Sequence, residues 1–160
     1  MEIERKALVP DVPKDILFYA IELIGEGLIE DAEENFGDMP NFNAEINLDK
    51  VSGEPWRISY SVDFSVYHYE FIWELKESKK GILVMLVGRT PKHWWSSLFD
   101  METKLENLVD TQWSAFTNFA IGYMTAVSVS RSKGKTKKAR EHVRGAKKRM
   151  GKTSKRKKSE

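Results

Sequence analysis

The chain has 160 residues, of which 41% are hydrophobic and 31% charged, with no Cys and a formal net charge of +2. That length suits one domain with its own core, and the lack of Cys excludes a disulfide scaffold, a thiolate zinc site and a thiol nucleophile while fitting a reducing compartment. The small net charge hides two opposite parts, because residues 131–160 hold fifteen Lys or Arg against two Glu, about +13, while residues 1–130 hold eleven basic and twenty-two acidic side chains, about −11.

The first ten residues read as a lead-in. The stretch through Asp15 lacks the apolar run of a signal peptide and is too acidic for a transit peptide, so an intracellular protein is expected, cytoplasmic or, in a eukaryote, nuclear. Pro13 suits a first helical turn, and Leu17, Ala20, Ile21, Ile24 and Leu28 recur at spacings of three and four. They predict a helix from about Pro13 to Asn35, with Gly37 as its stop. Gly25 and Gly27 each cost about 1 kcal/mol against Ala in a helix interior, a penalty that a close backbone contact can offset. The opposite face carries Glu22, Glu26, Glu30, Glu33 and Glu34, a solvated acidic face or a landing strip for a cationic partner. No His stands at Glu-x-x-His spacing, so the di-iron bundle pattern is missing.

Strict alternation then takes over. Phe42, Ala44, Ile46 and Leu48 define a half-buried strand. Trp56, Ile58, Tyr60, Val62, Phe64 and Val66 share a phase, and Tyr67, Tyr69, Phe71, Trp73 and Leu75 take the other, which requires a turn near Asp63–Val66. The run ILVMLVG after Gly81 reads as a strand covered on both faces. About four strands result, mainly antiparallel because the connections are short.

Thr90 as N-cap and Pro91 at the first position predict a helix from there to about Ser130, with a bend near Asp110 or Gly122. Leu98, Met101, Leu105, Leu108, Phe116, Phe119, Tyr123 and Val127 would form its apolar stripe. Residues 111–130 carry no charge, but Gln112, Asn118 and several Ser and Thr suit a buried soluble helix better than a membrane span, so a membrane partner is not expected. Ser114, Asn118, Gly122, Ala126 and Ser130 recur every four positions, and Asn118, Gly122 and Ala126 become candidate interface residues. Trp94 and Trp95 join them, since adjacent residues cannot share one narrow helical face and one is left as an anchor or pocket wall.

Ala139, Val143, Ala146 and Met150 allow a basic amphipathic helix over 137–150 once its charge is neutralised. Alone, the flexible segment 131–160 is expected to be disordered. Its Arg131, Lys133, Lys135, Lys137, Lys138, Arg140, Arg144, Lys147, Lys148, Arg149, Lys152, Lys155, Arg156, Lys157 and Lys158 are the candidate nucleic-acid contacts. They would neutralise DNA or RNA phosphates and release counterions without reading bases. A localisation signal, an anionic-membrane patch and a solubilising tail are the rival uses. Gly134-Lys135-Thr136 and Gly151-Lys152-Thr153 resemble the end of a phosphate loop, but Val129 and Ala146 stand where the leading Gly belongs.

His68, His93 and His142 are too scattered for a catalytic pair or metal cluster; His68 and Glu70 share a strand face but read as a surface pair. No metal, cofactor or catalytic residue is assigned. The expected architecture is α+β: an N-terminal helix, a sheet of about four strands, and a long C-terminal helix, forming an acidic domain over 1–130. The function expected first is a non-enzymatic accessory protein that holds nucleic acid through its basic segment while the acidic body binds a protein partner. An oligomer or adaptor assembled through acidic body and basic tail is the first alternative. A small-molecule-binding or enzymatic module, with an aromatic pocket around Tyr60, Tyr69 and Trp73, is the second.

Overall fold

The structure, a computed structural model, describes residues 1–51 and 55–143. In chain order these form β1 (Glu2–Val9), α1 (Lys14–Phe36), β2 (Asn43–Asp49), β3 (Trp56–Phe64), β4 (Tyr67–Ser78), β5 (Gly81–Arg89), a 3-10 turn (Ser96–Phe99) and α2 (Met101–Val143). The α+β reading holds, and the sheet has a fifth strand, because the segment read as a lead-in is β1. Its alternation, EIERKALV, hydrogen-bonds antiparallel along β5, with Glu2 opposite Arg89 and Val9 opposite Ile82. The charged residues at alternate positions masked this strand in the sequence.

All neighbouring strands are antiparallel, in the order β1-β5-β4-β3-β2. α1 therefore connects strands at the two opposite edges of the sheet. The phase switch falls at a two-residue turn, Ser65–Val66, between the paired Phe64 and Tyr67. Ser65 adopts φ 55° there, and its N–H donates to the Pro40 carbonyl at 2.8 Å. On either side of the turn Ile58, Tyr60 and Val62, then Tyr69, Phe71, Trp73 and Leu75, are buried on one sheet face, as the alternation requires.

Three expectations change. β5 is covered on one side: Val84 and Leu86 are buried, while Leu83 on the other face is 39% exposed. The helix does not start at Thr90, whose hydroxyl donates to the His68 carbonyl at 2.7 Å and whose N–H donates to the Met1 carbonyl at 3.1 Å. Those bonds close the end of the sheet, and α2 begins only at Met101. At its other end α2 continues past Ser130 to Val143. Residues 144–160, read as the rest of a basic helix and then coil, lie outside the described residues.

The chain divides into two units, one of residues 1–121 and one beginning at Gly122. In the first, Met101, Leu105, Val109, Gln112, Phe116 and Ala120 form the buried stripe of α2. Gly88 of β5 admits this helix closely, since a Cβ there would lie 2.4 Å from Val109 Cγ2. Among the described residues no helix is long and apolar enough to cross a membrane.

Candidate functional site: an apolar cavity between two helices and the sheet

Half of the face between α2 and the sheet is filled by rings. Trp73 stacks on Trp113 with centroids 5.9 Å apart and lies 5.3 Å from Phe116, which is 5.4 Å from Trp113. Beneath them a buried polar chain is satisfied internally. Trp73 Nε1 donates to the Tyr60 hydroxyl at 2.8 Å, that hydroxyl donates to Gln112 Oε1, and Gln112 Nε2 donates to the Leu108 carbonyl at 3.0 Å. Burial drives the Tyr60 phenol well above its usual range, against the smaller opposing effect of the Trp73 hydrogen bond.

The other half is hollow. A cavity of about 560 Å³ is bounded by α1, β3, β4 and the first turns of α2. Ile24, Leu28, Ala32 and Phe36 line it from α1, Val62, Phe64, Tyr69 and Phe71 from the sheet, and Leu108 and Ala115 from α2. Gly27 lines it too, and a Cβ built there meets nothing within 4 Å. Exposed polar residues from both helices, Asp31 and Asn35 opposite Lys104, Asn107 and Thr111, mark the mouth. Native interiors pack to about the density of organic crystals, so an apolar hollow of this size is a candidate site.

Two polar groups stand at the end of the cavity next to the β3–β4 turn. Lys104 Nζ lies 3.2 Å from the Tyr67 hydroxyl, to which it donates, and 5.0 Å from the centre of that ring. Tyr69 is only 4% exposed, and among the described residues its hydroxyl has no hydrogen-bond partner. Its phenol pKa is pushed up to about 12, first by burial and then by the neighbouring Tyr67.

Of the aromatic pocket expected around Tyr60, Tyr69 and Trp73, only Tyr69 lines the cavity; Tyr60 and Trp73 belong to the filled half. The sequence reading missed Gly27, Ala32, Lys104 and Asn107. The helical spacing of Ile24 and Leu28 marked them as core, and they are instead part-exposed cavity wall.

The other candidates do not converge. Trp94 is 86% exposed in the loop before α2, and Trp95 stacks on the His93 ring at 4.6 Å, so neither is helical. Asn118, Gly122 and Ala126 are exposed along α2. His68 contacts the Asp63 carboxylate, Glu70 lies 3.9 Å from Arg89, and Glu74 pairs with Arg57, all away from the cavity. Arg131 is exposed, Lys133, Lys135, Lys137, Lys138 and Arg140 fall within the helical span of α2, and Arg144 through Lys158 lie outside the described residues. The nucleic-acid reading therefore gains no support from the described residues.

No protein-family model matches the sequence, and no curated protein matches it. Among solved structures, TTHA0849 from Thermus thermophilus is similar at 12% identity over 77% of this chain and 99% of its own, with a TM-score of 0.45. Ara h 8.0201 is similar at 11% identity over 76% and 98% of the two chains, with a TM-score of 0.41. The Zhui aromatase/cyclase from Streptomyces sp. R1128 is similar at 15% identity over 77% and 92%, with a TM-score of 0.41. Likenesses this distant leave the function to be read from the cavity itself.

Proposed function

We propose that this chain is a non-enzymatic binding module that takes a small, mainly apolar molecule into the cavity between α1, the sheet and α2. The observation that carries this reading is the hollow of about 560 Å³, walled by apolar side chains on three sides and left unfilled by the described residues. The uncharged dye N-phenyl-1-naphthylamine, dim in water and bright in apolar surroundings, tests it. The full chain should saturate with the dye at one site. Gly27→Leu, which places a side chain in open space, should abolish uptake and leave the fold intact. Unchanged uptake by that variant, or none by the wild type, would sink the reading.

The basic segment motivates a separate proposal, contact with DNA or RNA phosphates, on the strength of its fifteen Lys and Arg in thirty residues. If 6–10 phosphates are engaged, affinity for duplex DNA should fall roughly 10³- to 10⁵-fold between about 50 and 200 mM salt. Salt-insensitive or undetectable binding counts against it. Pairing of acidic body with basic segment between copies would instead appear in light scattering as assembly that salt dissolves.

A further inference from the structure

An uncompensated charge, Lys104 at the exposed mouth, and an unpartnered hydroxyl, that of Tyr69, lie at the same end of the cavity. Lys104 is held by a phenol hydroxyl and a ring face, neither of which neutralises its charge, and among the described residues no carboxylate pairs with it. Tyr69, almost wholly buried in the cavity wall, lacks a hydrogen-bond partner among those residues. Buried hydroxyls are ordinarily bonded, and an exception inside a cavity marks where a ligand atom belongs. The Tyr60 hydroxyl, on the same sheet face, is fully engaged by Trp73 and Gln112, which sets Tyr69 apart.

We propose that the ligand is an amphiphilic monocarboxylate, its apolar body against Leu28, Val62 and Phe71 and its carboxylate at Tyr69 and Lys104. This rests on the cavity being a ligand site. A carboxylate accepts only, so it takes the Tyr69 O–H and supplies Lys104 with the counter-charge that Tyr67 cannot. Asp31 is the sole carboxylate among the lining residues; it stands exposed on α1 and makes no ion pair with Lys104. A cationic head group would be drawn to Asp31, but it would meet Lys104 with like charge and offer the Tyr69 O–H nothing to donate to.

Displacement of N-phenyl-1-naphthylamine from the full chain by dodecanoate, dodecanol and dodecylamine, each below its micellar concentration, tests the head group at constant tail. Dodecanoate should compete about tenfold better than dodecanol, the margin of one charge-assisted hydrogen bond. Lys104→Met should erase that margin and Tyr69→Phe should reduce it severalfold, each margin being read as the ratio of the two competitors within one variant, whatever its dye affinity. Asp31→Asn should tighten dodecanoate binding about twofold or more. The basic segment is present in every variant, so its own attraction for anions cancels when the margin of each variant is compared with that of the wild type. Equal competition by dodecanoate and dodecanol, tighter binding of dodecylamine, or a margin that survives Lys104→Met would overturn the carboxylate assignment while leaving the cavity reading intact. Failure of the dye to bind at all would sink the cavity reading itself.

Discussion

The same two strands and the same helix α2 build both a filled core and an empty one within a few helical turns. Around Trp73, Trp113 and Phe116 the space between helix and sheet is occupied by stacked rings. Around Tyr69, Val62 and Leu108 it is not, because the facing positions carry Gly27, Ala32, Thr111 and Ala115. Backbone topology is common to the two halves, so side-chain size along α1 and α2 decides which half closes. Gln112, which accepts from the Tyr60 hydroxyl of the filled half, lines the cavity and stands at the boundary.

Truncating each half tests that contrast most strongly. Phe116→Ala leaves a void among rings that cannot collapse onto it and should cost about 3–5 kcal/mol. Leu108→Ala enlarges a space that is already open, so only the transfer of the lost methyls counts, about 1–2 kcal/mol. Urea denaturation of the two variants at constant m-value measures both. Similar losses would mean that the hollow is closed in solution and the contrast does not exist.

Two glycines of α1 offer a finer version of the same test. A Cβ at Gly25 would lie 2.7 Å from Tyr60 Cε1, against a side chain pinned by two hydrogen bonds, so Gly25→Ala should destabilise by about 1–3 kcal/mol. At Gly27 a Cβ meets nothing, and Gly27→Ala should stabilise by about 0.5–1 kcal/mol through helix propensity alone. Opposite signs two residues apart, read as shifts in thermal midpoint, would place the boundary between filled and hollow on α1. A destabilising Gly27→Ala would argue that something already occupies that space.

The strands were legible because apolar alternation and its phase switch are properties of single residues, and the Ser65–Val66 turn lies where the switch requires it. β1 was not, since Glu2, Glu4 and Lys6 disguise an edge strand whose partner, β5, is more than seventy residues away. Thr90 and Pro91 carried a genuine helix-start pattern, but the Thr90 hydroxyl found the His68 carbonyl, a tertiary contact that no local pattern encodes. The cavity is the least legible feature. Ile24 and Leu28 look like core residues at helical spacing, and only the absence of large residues across from them makes them a wall. Tyr69 was singled out with Tyr60 and Trp73 for being aromatic, a trait shared by the residue that lines the site and the two that fill the core.

At neutral pH the smallest expected effect is that of Tyr69→Phe, and protonation separates it from Tyr60→Phe. Burial raises both phenols, Tyr69 to about 12, whereas an unfolded tyrosine titrates near 10. Below about pH 10 neither form of the chain ionises there, and the stabilisation is fully present. As pH rises from about 10 toward 12 the unfolded chain loses its protons first, so the native state loses stability with a slope of up to about 1.4 kcal/mol per pH unit for each such group. Tyr69→Phe removes one group from that sum. Its urea midpoint should match the wild type near pH 7, because its hydroxyl has no protein partner to lose among the described residues, and should fall less steeply above about pH 10. Tyr60→Phe should behave differently, losing about 1–2 kcal/mol already at pH 7 because Gln112 and Trp73 are left unsatisfied. If Tyr69→Phe also loses stability at neutral pH, its hydroxyl is engaged by the protein, and the cavity does not hold that donor open for a ligand.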